Sequence, residues 1–139
     1  MEHMRVALDE NAIMPTRAHR LDAGLDLFTP VDVTVPAHGR AFVDTGVHVE
    51  LPMGTCGHVR SKSGLNRNHG LTADGTIDEG YTGSIGVTVH NGSDDDYVFS
   101  CGDKVAQLVI ELIDRPTPIL VSEIRGGSRG EDGFGSTGR

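Results

Sequence analysis

The stretch VDVTVPAHGRAFVDTGVHVEL, residues 31–51, decides the fold class. Valines alternate with polar residues over 31–35, residues 36–40 interrupt the pattern, and 41–51 alternates again around Gly46. A period of two is typical of a strand with one buried face. The stretch therefore predicts two strands joined by a turn.

The same pattern continues along the chain. Residues 84–90 predict another strand, 91–96 a polar hairpin turn, and 96–100 its return strand. Two richer apolar runs, 105–113 and 119–124, are separated by prolines that would interrupt any helix. Short apolar segments with frequent turn signals predict an all-β sandwich or barrel.

One short helix and a distinctive tail complete the predicted organisation. The helix is expected over 63–69, where a serine lies at the start and Gly70 ends it. After residue 124 the chain is rich in glycine and polar residues. We therefore expect a β core over 1–124 and a flexible C-terminal arm over 125–139.

Length and charge limit the function. The chain has 139 residues, 37% of them hydrophobic, which suits one compact domain. Its formal net charge of -8 argues against a general nucleic-acid partner, because such binding depends on Lys and Arg. A phosphorylated substrate would need a local cationic pocket or a divalent metal.

Cysteine spacing and hydropathy exclude other classes. Cys56 and Cys101 have no clustered partner, so we expect two buried, reduced thiols and neither a zinc site nor a redox pair. No apolar run approaches the roughly 20 residues of a membrane span. No membrane partner is expected, and the predicted location is the cytoplasm.

The tail offers groups that suit a nucleotide. Arg129 could fork onto a phosphate, Ser136 and Thr137 could donate to phosphate oxygens, and Phe134 could stack on a base. Its composition alone favours a disordered terminus.

Asp78 lies in the segment DGTIDEGYTG, residues 74–83, between a predicted strand and a turn. A carboxylate there could orient and deprotonate a water molecule in line with a phosphorus atom. A lone Asp beside a turn is more commonly structural.

Three further segments carry candidate groups. RSKSGL, residues 60–65, brings two cations and two hydroxyls before the predicted helix, although surface charges would explain it equally. Gln107 is an uncharged polar residue in an apolar strand and could simply face solvent. Asp26 in AGLDLF could face the water shell of magnesium, although a capping or salt-bridged Asp is commoner.

In order, five segments of this chain resemble the five motifs of the trimeric dUTPase family. They run from Ala23 to Gly138 and read AGLDLF, RSKSGL, GTIDEGYTG, GDKVAQL and RGEDGFGSTG. The resemblance implies a jelly-roll-like β barrel, a homotrimer with sites shared between subunits, and exchange of the C-terminal arm. It implies hydrolysis of dUTP to dUMP and pyrophosphate with Mg²⁺, which keeps uracil out of DNA and supplies dUMP.

The resemblance also implies roles for single residues. Asp78 corresponds to the base that activates water for attack on the α-phosphorus, and Tyr81 to the ring that packs on deoxyribose and excludes a 2'-hydroxyl. Gln107 matches the side chain that contacts the phosphate chain. Asp26 matches the acid that reaches magnesium through water.

Substrate contacts follow in the same way. The second motif aligns Lys62, Ser63 and Gly64 with phosphate contacts, with Arg60 as the alternative to Lys62. Uracil would be read mainly by main-chain groups in the hairpin before Asp78.

The positions assigned to that hairpin are Thr72, Gly75, Thr76 and Ile77. In the tail, Arg129 corresponds to the γ-phosphate arginine, Phe134 to the ring on uracil, and Gly135, Ser136 and Thr137 to further contacts. Glu131 and Asp132 are less usual insertions.

Two other functions stay open at this point. A dCTP deaminase, bifunctional or not, shares the fold and triphosphate handling but attacks the base. A nucleotide-gated regulatory protein would signal to a protein partner through closure of the arm, as in some phage-encoded members.

Overall fold

The structure is a computed structural model that describes residues 3–135 and residue 138. It contains ten strands and one helix within that part of the chain. In chain order they are β1 (Arg5–Leu8), β2 (Gly24–Phe28), β3 (Val33–Val35), β4 (Arg40–Asp44), β5 (Val47–Glu50), β6 (Thr55–Arg60), α1 (Ser63–His69), β7 (Leu71–Ile77), β8 (Gly86–Asn91), β9 (Tyr97–Phe99) and β10 (Lys104–Leu112).

The strands form three antiparallel sheets. The main sheet has six strands in the order β2-β10-β6-β7-β8-β4, and β1-β5 and β3-β9 form two smaller sheets. The sheets curl around one hydrophobic core. The predicted all-β architecture with one short helix is confirmed.

Alternation along each strand builds this core. In β8, Val87 and Val89 are buried, whereas Thr88 and His90 between and beside them are more exposed. Burying one aliphatic side chain contributes roughly 1.5–3 kcal/mol, so the aligned inner faces supply most of the stabilisation. The largest fully buried side chains are Phe99, Leu27, Leu71, Ile85 and Leu108.

The stretch at 31–51 forms three strands instead of the two that were predicted. Gly46 has a φ of 67°, so the chain turns there and the second run divides into β4 and β5. The buried Thr45 hydroxyl secures this break by donating to the carbonyl of Ile85 at 2.7 Å.

The predicted hairpin of 84–90 with 96–100 is wrong in its pairing. β8 pairs with β4 and β7, whereas β9 pairs with β3 in another sheet. Asn91 explains the crossing, because its buried amide donates to the carbonyl of Val35 at 3.0 Å and to that of Asp95 at 2.8 Å. The turn therefore directs the chain from one sheet to the next.

The helix has the predicted bounds. Lys62 occupies the N-cap position, so Ser63 is the first helical residue and not the cap. Gly70 is left-handed and its N–H bonds to the carbonyls of Leu65 and Asn66, which ends the helix as predicted.

The last strand ends at Leu112, and residues 113–135 contain no helix or strand. The expected strand at 119–124 is therefore wrong for the single chain. Its apolar side chains are exposed, with Leu120 at 101%, and none of the ten described strands pairs with this segment. The division into a core at 1–124 and an arm at 125–139 stays a prediction.

Two smaller expectations can be compared with the structure. Cys56 is a buried free thiol, but Cys101 is exposed, contrary to the expectation that both are buried. Across residues 3–135, no helix combines the length and apolar character needed to cross a membrane.

Candidate active site

Asp78 lies at the end of β7, at the mouth of an open pocket of about 360 Å³. The pocket is lined by Phe42, Thr76, Ile77, Asp78, Tyr81, Ser84 and Gly86. Asp78 is exposed, so its carboxylate is accessible to water and to a ligand.

The pocket exists because β7 and β8 pair over only part of their length. Their ladder joins Leu71–Ala73 to Val89–Asn91. Beyond it, Asp74–Ile77 pair with β6 on the other side, and Thr76 of β7 and Gly86 of β8 both line the pocket. Main-chain groups of β7 therefore border an open space of a size that suits a planar base.

Thr72, Gly75, Thr76 and Ile77 are all part of β7. These residues form the first arm of the antiparallel pair of consecutive strands β7 and β8, and β6 pairs with β7 on its other side. Thr72 and Thr76 face outward, and Ile77 is buried in the core.

The loop from Asp78 to Ser84 is closed on itself. The Tyr81 N–H donates to the Asp78 carbonyl at 3.0 Å, and the Tyr81 hydroxyl donates to the Ser84 carbonyl at 2.9 Å. The Tyr81 ring lies so close to Gly83 that a Cβ there would meet the ring Cε2 at 2.9 Å. Tyr81 is 46% exposed and presents its ring beside Asp78.

Two carboxylates anchor this loop to the barrel. Glu79 accepts from the Gly54 N–H and lies 3.6 Å from Arg115. Asp44 accepts from the Ser84 hydroxyl and from the Gly46 N–H, and these hydrogen bonds lower its pKa. The loop that carries Asp78 and Tyr81 is thus held from both ends.

Asp26 is the centre of a second cluster. Its side chain is almost buried, with the residue 3% exposed, and it forms ion pairs with Lys62 through Oδ1 and with Lys104 through Oδ2 at 3.0 Å. Burial alone would raise the pKa of Asp26, but the hydrogen bonds and charges of the two lysines outweigh it, and the pKa is lowered. Asp26 therefore stays ionised and holds two ammonium groups together.

Gln107 lies beside Asp26 on the neighbouring strand, β10. Its side-chain amide donates to the Ser61 carbonyl at 3.0 Å. The side chain fits because residue 24 is glycine: a Cβ there would collide with Gln107 Oε1 and lie 3.0 Å from its Cδ.

Ser61 and Arg60 are already engaged elsewhere. The Ser61 hydroxyl accepts from the Ala73 N–H at 2.8 Å and donates to its carbonyl at 3.1 Å. Arg60 lies 3.8 Å from Glu111. Ser63 is exposed at the start of α1, which favours Ser63 over Ser61 as the ligand-binding hydroxyl.

The structure keeps these two clusters apart within one chain. Paired positions on four neighbouring strands are occupied by Asp26, Gln107, Arg60 and Asp74. Asp78 lies four residues beyond Asp74, which is about 13 Å along the strand and two strand spacings, roughly 10 Å, from Gln107. One chain therefore does not bring Asp78 and the lysine cluster to one ligand.

The described candidate residues of the tail do not line the pocket of Asp78. Phe134 is fully exposed, and the Arg129 guanidinium donates to the Gly133 carbonyl at 3.0 Å. Gly135 is exposed in a turn, whereas Ser136 and Thr137 lie outside the described residues.

Three residues of these clusters were missed from the sequence. Phe42 is 67% exposed and walls the pocket of Asp78, and only its outward position in an alternating strand could have indicated it. Lys104 and Gly24 belong to segments that were singled out for Gln107 and Asp26. Their roles depend on pairing between distant strands, which spacing along the chain does not reveal.

Metal binding by the protein alone has little support in the geometry. Within the described ranges, no group of three or more His, Cys, Asp or Glu side chains could hold an ion. Asp26 uses both oxygens for lysines. It fits magnesium only through water, with an ion whose remaining ligands are waters and substrate phosphates.

Fold and site together define a class of protein: an all-β protein with an exposed carboxylate in an aromatic-walled pocket and a separate lysine cluster suited to phosphates. The dUTPase family model matches residues 10–138, and the chain belongs to the dUTPase family.

Curated relatives agree over nearly the whole chain. The chain is 46% identical over 140 residues to the deoxyuridine 5'-triphosphate nucleotidohydrolase of Anaplasma marginale, covering 97% of this chain and 95% of that protein. It is 42% identical over 132 residues to the enzyme of the same name from Oryza sativa, covering 94% and 77%.

Solved structures show the same fold. The dUTPase of Staphylococcus bacteriophage 80alpha with dUPNHPP superposes with a TM-score of 0.94 at 31% identity, covering 100% of both chains. A variant of the dUTPase from phage phi11 of S. aureus, which coordinates a structural Mg(II) ion, superposes with a TM-score of 0.80 at 32% identity, covering 87% of this chain and 97% of that one.

Proposed function

We propose that this chain is a dUTP diphosphatase that hydrolyses dUTP to dUMP and pyrophosphate. The observation that carries the proposal is the pocket where Asp78, Tyr81 and the open edge of β7 meet. A base can lie against the main chain of β7, a sugar against Tyr81, and the α-phosphate beside Asp78. The names of the relatives and the nucleotide analogue bound by the phage 80alpha enzyme support this choice.

Asp78 acts as the general base in this proposal. It accepts a proton from a water molecule whose oxygen attacks the α-phosphorus in line with the leaving group. The bond from the α-phosphorus to the oxygen that bridges it to the β-phosphorus breaks, and the electron pair leaves with pyrophosphate. The products are dUMP and pyrophosphate.

Base and sugar are selected by different parts of the pocket. Main-chain groups of Thr72, Gly75, Thr76 and Ile77 would read the edge of uracil, since this strand borders the pocket. Tyr81 would pack on deoxyribose and leave no space for a 2'-hydroxyl. Recognition by main-chain groups of β7 would also explain how the pocket selects uracil without a distinctive side chain.

The lysine cluster supplies positive charge for the phosphates. Lys62, Gly64 and Lys104 line one pocket beside α1, and both lysines pair with Asp26. Ser63 lies between Lys62 and Gly64 at the start of α1, and Gln107 is paired with Asp26 across β10 and β2. Mg²⁺ bound to the triphosphate would neutralise part of its charge, and Asp26 would reach it through water. An acidic chain can thus bind a polyanion locally.

The site is proposed to form between copies of this chain in a homotrimer. The distance of Asp78 from Gln107 within one chain requires that the lysine cluster of a second copy approach the pocket. The exposed apolar run at 119–124 supports exchange of the arm between subunits. Arg129, Phe134, Gly135, Ser136 and Thr137 would then close over a neighbour's site.

A nucleotide panel tests the proposal. The purified chain is mixed with dUTP, dCTP, dTTP or UTP, with and without Mg²⁺, and the products are separated. We expect dUMP and pyrophosphate from dUTP, faster with Mg²⁺, and little product from UTP because of Tyr81. Ammonia and dUTP released from dCTP would identify a deaminase and overturn the proposal.

A regulatory role is a second candidate, supported by the fold match to phage dUTPases described as controlling transfer of virulence genes. A pull-down with and without a non-hydrolysable dUTP analogue tests it. A protein retained only with the analogue supports gating by nucleotide, and equal recovery in both conditions contradicts it.

A further inference from the structure

His48 lies on β5, outside the pocket of Asp78, but contacts the loop that forms it. Its Nδ1 is 2.7 Å from the carbonyl oxygen of Thr82, and its Nε2 is 2.9 Å from Oδ1 of Asp9. A carbonyl oxygen and an ionised carboxylate can only accept hydrogen bonds. Both contacts can be hydrogen bonds only when both ring nitrogens carry hydrogen, so this geometry favours the imidazolium form of His48.

We propose that His48, in its charged form, is a positioning residue that holds the loop of residues 78–84 for hydrolysis. The inference rests on the proposed function, in which that loop carries Asp78 and Tyr81. His48 touches neither the pocket lining nor the expected substrate path. Its effect passes through the main chain of Thr82.

The position of Thr82 explains why this contact matters. Thr82 is held by His48, and Ser84 is held by Asp44, one residue on either side of Gly83. The Tyr81 ring lies on Gly83, and its hydroxyl bonds to the Ser84 carbonyl. If the Thr82 contact were lost, Gly83 beneath the Tyr81 ring would be held only on its Ser84 side.

The surroundings of His48 favour its charge. The hydrogen bond to the Thr82 carbonyl raises the pKa of His48 most, followed by the bond to Asp9, and the charges of Asp9 and Asp44 add to this effect. The other charged side chains on this face are Arg5 and Glu50, which pair with each other at 3.5 Å. The net field at His48 is therefore negative.

The direction of the pH dependence follows from the raised pKa. Below the pKa that His48 has in the unfolded chain, its ring is charged in both the folded and the unfolded state, and the contact stabilises the fold fully. This stabilisation is lost as the pH rises through the higher pKa that His48 has in the folded chain. Once one nitrogen loses its hydrogen, a lone pair faces an acceptor oxygen. We therefore expect kcat/KM to fall on the alkaline side as the His48 ring loses its proton.

The test is the pH profile of kcat/KM for dUTP in four proteins: the unmodified chain, His48→Gln, Asp9→Asn and His38→Gln. His48→Gln should lower kcat/KM by roughly ten- to hundredfold at neutral pH and abolish the alkaline fall, since small misplacements of catalytic groups cost this much. Asp9→Asn should shift the fall to lower pH. An alkaline fall unchanged in both variants would overturn the inference.

His38→Gln is the matched control. His38 pairs with Asp94 at 2.6 Å in the same kind of exposed His-Asp contact, far from the loop. It should behave as the unmodified chain does. A drop in this control equal to that of His48→Gln would show a general effect of removing a histidine-aspartate pair and would contradict the positioning role.

Nuclear magnetic resonance separates this inference from the proposed function. Ring ¹⁵N shifts followed across pH should show that the pKa of His48 is raised above that of an unstructured histidine, and amide exchange of Tyr81–Ser84 should quicken as the ring loses its proton. A His48 pKa no higher than that of an unstructured histidine would refute the inference even in an active enzyme. A charged ring with a pH-dependent loop in a chain that does not cleave dUTP would refute the proposed function instead.

Discussion

At the scale of single residues, Asp78 is exposed and lies beyond the end of β7. Its replacement should therefore affect the reaction and leave the stability of the fold unchanged. We expect Asp78→Asn to lower kcat by about 10²–10⁴-fold, the usual contribution of a general base, with little change in melting temperature. Steady-state kinetics and calorimetry measure the two effects. Asp74→Asn is the matched control, since Asp74 is an exposed aspartate on β7, four residues before Asp78.

A retained rate in Asp78→Asn would contradict its assignment as base. An equal loss in Asp74→Asn would point instead to the summed negative charge of the outer face of β7.

Gly24 determines the position of the Gln107 amide. We expect Gly24→Ala to push Gln107 away from the Ser61 carbonyl, because the new Cβ would collide with its amide oxygen. Loss of one positioned hydrogen bond predicts a fall of about tenfold in kcat/KM, and overpacking costs about 1–3 kcal/mol of stability.

Kinetics and urea unfolding of Gly24→Ala measure these effects. Gly92→Ala is the control, since its Cβ would meet the Gly70 carbonyl oxygen at an ordinary 3.5 Å. If Gly24→Ala has full activity, the Gln107 amide does not contribute to phosphate binding from this position.

The role of Asp26 could be predicted only in part from its sequence segment. The segment AGLDLF left a metal role and a salt-bridged role open, and the structure places the carboxylate between Lys62 and Lys104. Lys104 is 78 positions away in the sequence and reaches Asp26 only because β10 pairs with β2. No local pattern carries that information.

At the scale of elements, Asn91 decides how β8 passes to β9. Its buried side chain donates to Val35 and Asp95 and accepts from the N–H and the hydroxyl of Ser93. We expect Asn91→Ala to destabilise the fold by roughly 1–3 kcal/mol, because it leaves the carbonyl of Val35 without this partner.

Urea unfolding at one protein concentration measures this loss. Asn68→Ala, an exposed position on α1, is the control and should change stability by less than about 0.5 kcal/mol. Equal stability of the two variants would show that water replaces the Asn91 contacts.

Elements differ in how well the sequence predicted them. The helix at Ser63–His69 was predicted with its bounds, since Gly70 is a strong local stop signal. The pairing of β9 with β3 was not, because Tyr97–Phe99 and residues 84–90 have the same alternation and are adjacent in the chain. Alternation fixes which side chains are buried but not which strand is the neighbour.

At the scale of the whole molecule, the arm should be separable from the core. Removal of residues 125–139 deletes no strand of the described fold, since the last strand ends at Leu112. We expect a folded oligomer of unchanged size with turnover reduced by two or more orders of magnitude, because Arg129 and Phe134 are absent. Light scattering, circular dichroism and kinetics measure these properties.

A longer deletion from residue 113 serves as the comparison, since it also removes the exposed run at 119–124. It should dissociate the oligomer. Full activity after the shorter deletion would contradict the role of the arm, and an intact oligomer after the longer one would contradict arm exchange.

The whole site could be predicted from the sequence only in part. Asp78, Tyr81 and the phosphate-binding segments were predicted from motifs, but the distance between Asp78 and Gln107 is a property of the folded chain. The resemblance of the motifs implied sites shared between subunits, and the separation of the two clusters within one chain is consistent with that proposal.

Hydrolysis of dUTP in H₂¹⁸O tests the central claim most directly, because the label records which phosphorus atom is attacked. With attack on the α-phosphorus by water activated at Asp78, one ¹⁸O should appear in dUMP and none in pyrophosphate, with formation of labelled dUMP strongly reduced in Asp78→Asn. Label in pyrophosphate, or release of ammonia without dUMP, would contradict the account.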